Sequence, residues 1–102
     1  MGELKIRLNM LQPGEIVLLL VFNIDKNGAP ISYDDILNEL KPVCKSPIYG
    51  TWDFYLDKGI VGGKITRAST HGEYLAKIAL LLLKGANISS IPVRAGPNEF
   101  VF

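Results

Sequence analysis

The chain has 102 residues, of which 48% are apolar and 21% are charged, and its net charge is +1. A chain of this length forms one domain with a single core, and this composition is typical of folded rather than disordered proteins. A near-neutral charge without basic clusters argues against a nucleic-acid partner. The only cysteine, Cys44, excludes an internal disulfide and any zinc site that needs two thiolates. We find no signal-peptide pattern and no apolar run of the roughly 20 residues that span a bilayer.

The first half of the chain is predicted to contain a helix, a strand, a loop and a second helix. Leucines at i, i+4 and i+7 predict a helix over Glu3 to Leu11. The uninterrupted apolar run Ile16 to Phe22 is typical of a strand covered on both faces, and we expect it to be the central strand of a parallel sheet. Turn-forming residues fill Asn23 to Pro30. Ser32 begins a capping-box pattern, which predicts a helix over Tyr33 to Lys41.

The second half begins with two short predicted strands and ends in extended segments. Pro47 to Gly50 is β-prone and lies between breakers, and Ile60 to Thr66 is the next strand. The pair Gly62-Gly63 inside that strand indicates a bulge or a close approach of another backbone. Ile91 to Arg94 and Glu99 to Phe102 are expected to be extended.

A third helix is predicted between the last strand and the extended tail. Thr70 and Glu73 form a capping box, Glu73 and Lys77 are spaced for an ion pair, and Gly85 is the expected C-terminal cap after Lys84. The helix is apolar most of the way round, so it either lies between layers or shares a surface with another molecule. Its predicted core stripe is Leu75, Ile78, Ala79 and Leu82, and its further apolar residues are Leu80, Leu81 and Leu83.

Strands separated by helices predict an α/β fold with parallel strands and right-handed crossovers. Ligands of open parallel sheets bind beyond the carboxyl ends of the strands. In this chain those ends are Phe22 to Asp25, Gly50 to Asp53 and Thr66 to Thr70.

The densest group of aromatic residues lies at the second of these ends. Tyr49, Trp52, Phe54 and Tyr55 fall within a short stretch, and such clusters pack cores more often than they contact ligands. The functional interpretation is a stacking wall for a small flat ligand whose polar ends are held by Asp53 and Asn23. No phosphate-binding loop is present, because the spacing around Lys64 is wrong, and no metal or cofactor site is indicated.

The same stretch carries a family resemblance. Pro47 to Leu56 (PIYGTWDFYL), continuing through Gly59 to Gly63 (GIVGG), resembles the ABC-transporter substrate-binding-like sensor domain of bacterial sensor histidine kinases. That domain is similar to the type I periplasmic binding proteins. The similarity extends upstream to Val17 to Asn23 and downstream to Phe102, so it covers nearly the whole chain. Family members usually have Gly where this chain has Asp57 and Gln where it has His71.

The resemblance implies a single lobe, residues 1–102, of a two-lobed noncatalytic domain that recognises a small solute. The chemistry of Trp52 and Asp53 suits an amino-acid-like solute. Its fold would be a three-layer sandwich with a mostly parallel sheet, of the Rossmann or flavodoxin-like type. Phe22, Asn23, Trp52 and Asp53 would face the cleft, and the missing N-terminal lobe would supply the opposite wall. The location would be extracytoplasmic, in a membrane-anchored parent, and the isolated lobe would bind its ligand weakly or not at all.

Two alternative functions remain open at the level of the sequence. The first is the free substrate-binding component of an ABC importer, which shares the same fold and would differ in its neighbouring genes. The second is a small α/β hydrolase or transferase that uses His71 as a base with Ser69 or Asp53. Self-association through Leu80, Leu81 and Leu83 is a further expectation for a lobe without its partner.

Overall fold

The computed structural model describes all 102 residues and contains three α-helices and four short strands. The helices are α1 (Gly2–Asn9), α2 (Tyr33–Leu40) and α3 (Ala68–Leu83), and the strands are β1 (Val17–Leu19), β2 (Ile48–Gly50), β3 (Gly63–Ile65) and β4 (Glu99–Val101). Single turns of 3₁₀ helix cover Asp53–Tyr55 and Ile88–Ser90. The chain is therefore a small mixed α/β domain, which confirms the predicted class at this level.

The strands lie in the order β1-β2-β3-β4. β1 and β2 are parallel, with Val17 opposite Ile48, whereas β3 and β4 are antiparallel. Isolated parallel bridges join β2 to β3, and the Gly50 N–H donates to the Gly62 carbonyl at 3.0 Å. The parallel part of the predicted sheet is thus one regular two-stranded pair with a loosely joined third strand. Ile91 to Arg94, which we expected to be extended, belongs to no strand.

β1 does not occupy the centre of the sheet, as the sequence predicted. It pairs only with β2 and is therefore an edge strand. Leu19 is 6% exposed, whereas Leu18 and Leu20 on the opposite face are 59% and 60% exposed. A continuous apolar run shows that both faces can be buried but not that both are, and here α1 and α2 cover one face only.

The core forms around α2, which begins and packs as predicted. The Ser32 side chain accepts a hydrogen bond from the Asp35 N–H at 3.1 Å, and this cap satisfies one of the free donors of the first turn. Leu37 joins Leu19, Ile48 and Tyr55 in one cluster. The neighbouring Ile36 and Leu40 join Leu8 of α1 in a second cluster. One short helix therefore fastens α1 and the β1-β2 pair together.

Gly62, directly before β3, and Gly63, its first residue, allow backbones to meet closely, as the sequence indicated. Gly62 and Gly63 have φ angles of 149° and 156°, which side-chain-bearing residues rarely adopt. A Cβ atom on Gly62 would collide with the backbone of Val101, and one on Gly63 would collide with the Gly50 carbonyl oxygen. These positions therefore let β3 fit between β2 and β4.

The third helix ends as predicted but begins and packs differently. Gly85, with a φ of 100°, and Ala86 donate to carbonyls of the last turn at 3.1 and 3.0 Å, a Schellman ending. The helix starts at Ala68, after an Arg67 that makes no side-chain cap, and the expected Glu73–Lys77 ion pair does not form. No residue of α3 is buried, so the predicted core stripe is wrong. The helix is apolar but lies outside both core clusters.

The shape of the molecule is elongated. Its radius of gyration is 18.2 Å and its dimensions are 56 × 32 × 22 Å. A compact chain of this length has a radius of gyration of about 13 Å. The chain exposes 7387 Å², while a compact monomer of 11.2 kDa exposes about 5,700 Å². The chain therefore exposes about 1,700 Å² more than a compact monomer of its mass. No helix combines the length and the apolar content needed to cross a membrane.

Candidate functional site

The candidate site lies where β2 and β3 end side by side. The Thr66 N–H donates to the Thr51 carbonyl at 2.7 Å, and the Asp53 N–H donates to the Thr66 carbonyl at 3.1 Å. These bonds hold the segments that follow the two strands next to each other. We refer to residues 51–53 and 66–67 as the carboxyl edge. It corresponds to two of the three strand ends at which the sequence placed a ligand.

The aromatic residues near this edge pack mainly against one another. The rings of Tyr33 and Phe54 stack with centroids 4.1 Å apart, and Phe54 stacks on Trp52 at 5.7 Å. Tyr55 meets Phe54 edge-on at 4.8 Å and is fully buried. Because the rings contact each other directly, no ligand slot lies between them. Trp52 and Tyr33 form the two ends of the stack, and Tyr33, Trp52 and Phe54 are all partly exposed.

The four residues proposed from the sequence occupy different environments. Trp52 and Asp53 both lie at the carboxyl edge, and the Asp53 side chain lines a cavity there. Phe22 is partly buried and packs against both core clusters. Asn23 is exposed, and its carbonyl accepts a hydrogen bond from the Ile31 N–H at 2.8 Å. The structure therefore brings together two of the four, while Phe22 contributes to the core and Asn23 to a loop.

A cavity of about 370 Å³ lies beside β3, reaches the carboxyl edge at Asp53 and Arg67, and carries charges of both signs. Asp53 and Asp57 supply carboxylates, and Arg67 supplies a guanidinium that pairs with Glu99 at 2.6 Å. The remaining lining residues are apolar: Leu56, Ile60, Val61, Val101 and Phe102. An open cavity with one apolar wall and opposite charges can hold a small solute that has both apolar and charged parts.

Asp57 stands out at the rim of this cavity because its φ is 61°. This left-handed conformation is uncommon for residues other than glycine, although aspartate tolerates it better than most. Asp57 is one of the two acidic residues that line the cavity.

A second polar group joins the start of α3 to the segment before β4. The Asn98 side-chain oxygen accepts hydrogen bonds from Thr66 Oγ1 at 3.1 Å and from His71 Nε2 at 2.9 Å. Because a carbonyl oxygen only accepts, His71 carries a proton on Nε2 in this arrangement. The imidazole also lies against Gly96, where a Cβ atom would collide with the ring.

These contacts bear on the enzymatic alternative. The only imidazole of the chain is bonded to Asn98, and no hydrogen bond connects it to Ser69 or Asp53. Ser69 is exposed on the first turn of α3. A nucleophile and its base need hydrogen-bond contact, and this arrangement provides none. The group of Thr66, His71 and Asn98 instead fastens the tail of the chain to the carboxyl edge.

Tyr55 is the one buried polar side chain of this region that lacks a partner. Its hydroxyl makes no hydrogen bond of good geometry, and the backbone of Phe22 is the one group that acts on it in the manner of a hydrogen bond. Burial, and next the nearby Tyr33, raise the pKa of Tyr55 above its ordinary value of 10.0, while this contact with Phe22 lowers it. The residue therefore stays neutral and serves the core rather than the cavity.

Sequence reasoning missed Arg67, Asn98 and Glu99 as members of this region. Arg67 and Glu99 meet only because β4 returns antiparallel to β3, and nothing in the local pattern of either segment indicates that pairing. Asp57 and Arg67 follow predicted strand ends, and that position was the available signal. Comparisons of the chain with protein-family models, with curated proteins and with solved structures found no match in any of the three.

Proposed function

We propose that the chain is a ligand-recognition lobe of the extracytoplasmic domain of a sensor histidine kinase, and that it binds a small solute at the carboxyl edge without catalysing a reaction. The observation that carries this proposal is the cavity of about 370 Å³ beside β3, which reaches the carboxyl edge at Asp53 and Arg67 and is also lined by Asp57. Cavities at strand ends are the usual ligand sites of α/β sheets. The sequence resemblance to substrate-binding-like sensor domains points to the same role.

The chemistry of the cavity favours an amino-acid-like solute. An ammonium group would lie near Asp53 and Asp57, where two carboxylates face one cavity. The guanidinium of Arg67 would share its charge between Glu99 and a solute carboxylate. An aromatic or aliphatic side chain would contact Val61 and Phe102 or the exposed part of the Trp52 indole. Asn23 and Phe22 would act indirectly, through the loop and core that support this edge.

In the proposed two-lobed domain a second lobe would cover the solute. The cavity is open, so a solute bound to this chain alone would keep much of its surface in water. The uncovered face of β1 fits a type I sandwich in which a further layer packs on Leu18 and Leu20. Signalling would follow from closure of the two lobes, because a ligand shifts a conformational equilibrium only when it binds one state more tightly than the other.

The test is a titration of the isotope-labelled chain with amino acids and with their N-acetylated and amidated forms, followed by amide chemical shifts. We expect shifts confined to the carboxyl edge and a Kd of about 1 mM or weaker, equivalent to about −4 kcal/mol, because only one wall of the site is present.

Two variants give this titration its control. Asp53→Asn should weaken binding of the free amino acids about five- to tenfold by removing a charged partner of the ammonium group. Asp35→Asn removes a carboxylate from an exposed position on α2, where only the backbone N–H is used for capping, and should leave binding unchanged. Absence of shifts at the carboxyl edge for every solute, or equal affinity of the D53N variant, would refute the proposal.

A further inference from the structure

A second cavity lies between α3 and the tail segment that follows the helix. Its volume is about 380 Å³, and it shares no lining residue with the cavity beside β3. Residues 92–94 and 96 of the tail form one wall. The other wall is a single stripe of α3, with residues spaced at i, i+3, i+4 and i+7: His71, Tyr74, Leu75 and Ile78. We refer to this space as the α3–tail cavity.

One end of the α3–tail cavity is fixed by contacts between its two walls. His71 Nε2 donates to the Asn98 side-chain oxygen at 2.9 Å. The imidazole also lies against the backbone of Gly96, where a Cβ atom would collide with the ring. Farther along the helix, Tyr74 and Ile78 are partly buried. The cavity is therefore bounded at one end by a defined junction of helix and tail.

The polar groups of the cavity can donate hydrogen bonds to an anion. Arg94 is the only lysine or arginine in the lining, and no aspartate or glutamate lines the cavity. Arg94 makes no ion pair within the chain, and the Tyr74 hydroxyl makes no hydrogen bond. A guanidinium and a phenolic hydroxyl both donate to carboxylate oxygens. The charge of this cavity is thus opposite to that of the two carboxylates beside β3.

The remaining lining residues can contact an apolar ligand body. Leu75 is 65% exposed and Val93 is 104% exposed, so both side chains are largely in water when the cavity is empty. A ligand that covers them is favoured in proportion to the apolar area it removes from water. A binding site of this kind is mostly apolar and has a few polar groups that orient the ligand.

We propose that the α3–tail cavity is a second ligand site, which binds a small organic acid with its apolar body on α3 and its carboxylate at Arg94. A neutral analogue would leave the guanidinium without a partner of opposite charge. An amino acid would bring an ammonium group for which this cavity has no carboxylate. The proposal stands on the chemistry of this cavity alone and does not depend on solute binding at the carboxyl edge.

The test is a titration of the isotope-labelled chain with hexanoate, hexanamide and acetate, followed by amide chemical shifts. The salt concentration is about 150 mM, so that exposed charges more than about 8 Å away are screened. We expect hexanoate to shift residues 71–78 and 92–96 with a Kd of about 1–10 mM, because the cavity is open. Hexanamide should bind about three- to tenfold more weakly, because it lacks the charge. Acetate should bind about tenfold more weakly or less, because it lacks most of the apolar body.

Two variants locate the charge that the carboxylate contacts. Arg94→Gln should weaken hexanoate binding about three- to tenfold and leave hexanamide binding unchanged. Lys77→Gln is the matched control, since it removes the same charge from an exposed position of α3 that does not line the cavity, and it should leave both affinities unchanged.

Three results would overturn the proposal: no hexanoate shifts on the two walls, equal affinity for hexanoate and hexanamide, or an R94Q variant that binds hexanoate as the wild type does. The amino-acid titration reports on the amides of the carboxyl edge, at residues 51–53 and 66–67. Because the two titrations are read at different residues, failure of one proposal is distinguishable from failure of the other.

Discussion

The unpartnered hydroxyl of Tyr55 leads to a prediction about stability. The ring is fully buried in the core between α2 and the sheet, and its hydroxyl makes no hydrogen bond of good geometry, its contact with the backbone of Phe22 included. Leaving a buried polar group unsatisfied costs about 1–3 kcal/mol, and folding of the wild-type chain bears this cost. Tyr55→Phe removes the hydroxyl and keeps the ring contacts with Phe54 and Tyr33. We therefore expect the variant to be at least as stable as the wild type, by up to about 2 kcal/mol.

The measurement is urea or thermal unfolding followed by circular dichroism. For a chain of this size each kcal/mol corresponds to about 4–8 °C in Tm, so the gain is well above the error of the experiment. Tyr49→Phe is the control, because Tyr49 is partly exposed on β2 and its hydroxyl is not a buried group without a hydrogen-bond partner. A loss of about 1 kcal/mol or more in Y55F alone would mean that the hydroxyl is bonded in solution and would refute the reasoning.

The pH dependence of the same variant gives an independent reading. The pKa of Tyr55 is raised in the folded chain, chiefly by burial, so the folded state keeps its proton at a pH at which the unfolded chain has released it. The stability contributed by this difference is fully present below the unfolded value near pH 10 and is lost as the pH rises from there through the folded pKa. The difference in stability between Y55F and the wild type should therefore grow above about pH 10.

Three further variants test other parts of the fold. Gly63→Ala should lower the free energy of unfolding by about 2 kcal/mol or more, because alanine avoids the φ of this position and the Gly50 carbonyl oxygen of β2 lies where the Cβ would be. Gly2→Ala is the control: this position of α1 has open space around it, and the same unfolding assay should show no loss. Ser32→Ala should cost about 1 kcal/mol by removing the α2 cap, whereas Thr70→Ala, which makes no cap, should cost less than about 0.5 kcal/mol. Leu37→Ala should lower the free energy of unfolding by about 2–5 kcal/mol in denaturant titrations. A smaller loss would show that neighbouring core residues fill the space left by the leucine side chain.

Features set by neighbouring residues were predictable from the sequence. The α2 helix follows from its Ser32 cap and its apolar spacing, and both hold in the structure. The ending of α3 at Gly85 and the close approach at Gly62-Gly63 also follow from local chemistry, because only glycine adopts those φ angles without strain.

Features set by distant parts of the chain were not predictable in the same way. The apolar run around β1 indicates a strand that can be buried on both faces. Whether each face is covered depends on residues from other parts of the chain, which the local pattern does not reveal. Likewise, a leucine-rich pattern in α3 cannot distinguish a helix that joins the core from one that presents its leucines outward.

The candidate site shows the same division between local and distant information. Trp52 and Asp53 were proposed because they follow a predicted strand, and that reasoning needs only the order of elements. Arg67 meets Glu99, and Thr66 meets Asn98, across 32 residues of sequence. Such contacts depend on the antiparallel return of β4. Phe22, which also follows a predicted strand, is partly buried and packs against both core clusters.

The free edge of β1 has a consequence for how copies of this chain meet. Its unpaired N–H and C=O groups, flanked by exposed Leu18 and Leu20, form a template on which another strand can add. Addition of the free β4 edge of another copy at this edge joins unlike surfaces and leaves a new edge open after each step. On prolonged heating, slow open-ended growth with the spectroscopic signature of intermolecular β-structure is therefore expected, and Leu18→Lys should suppress it.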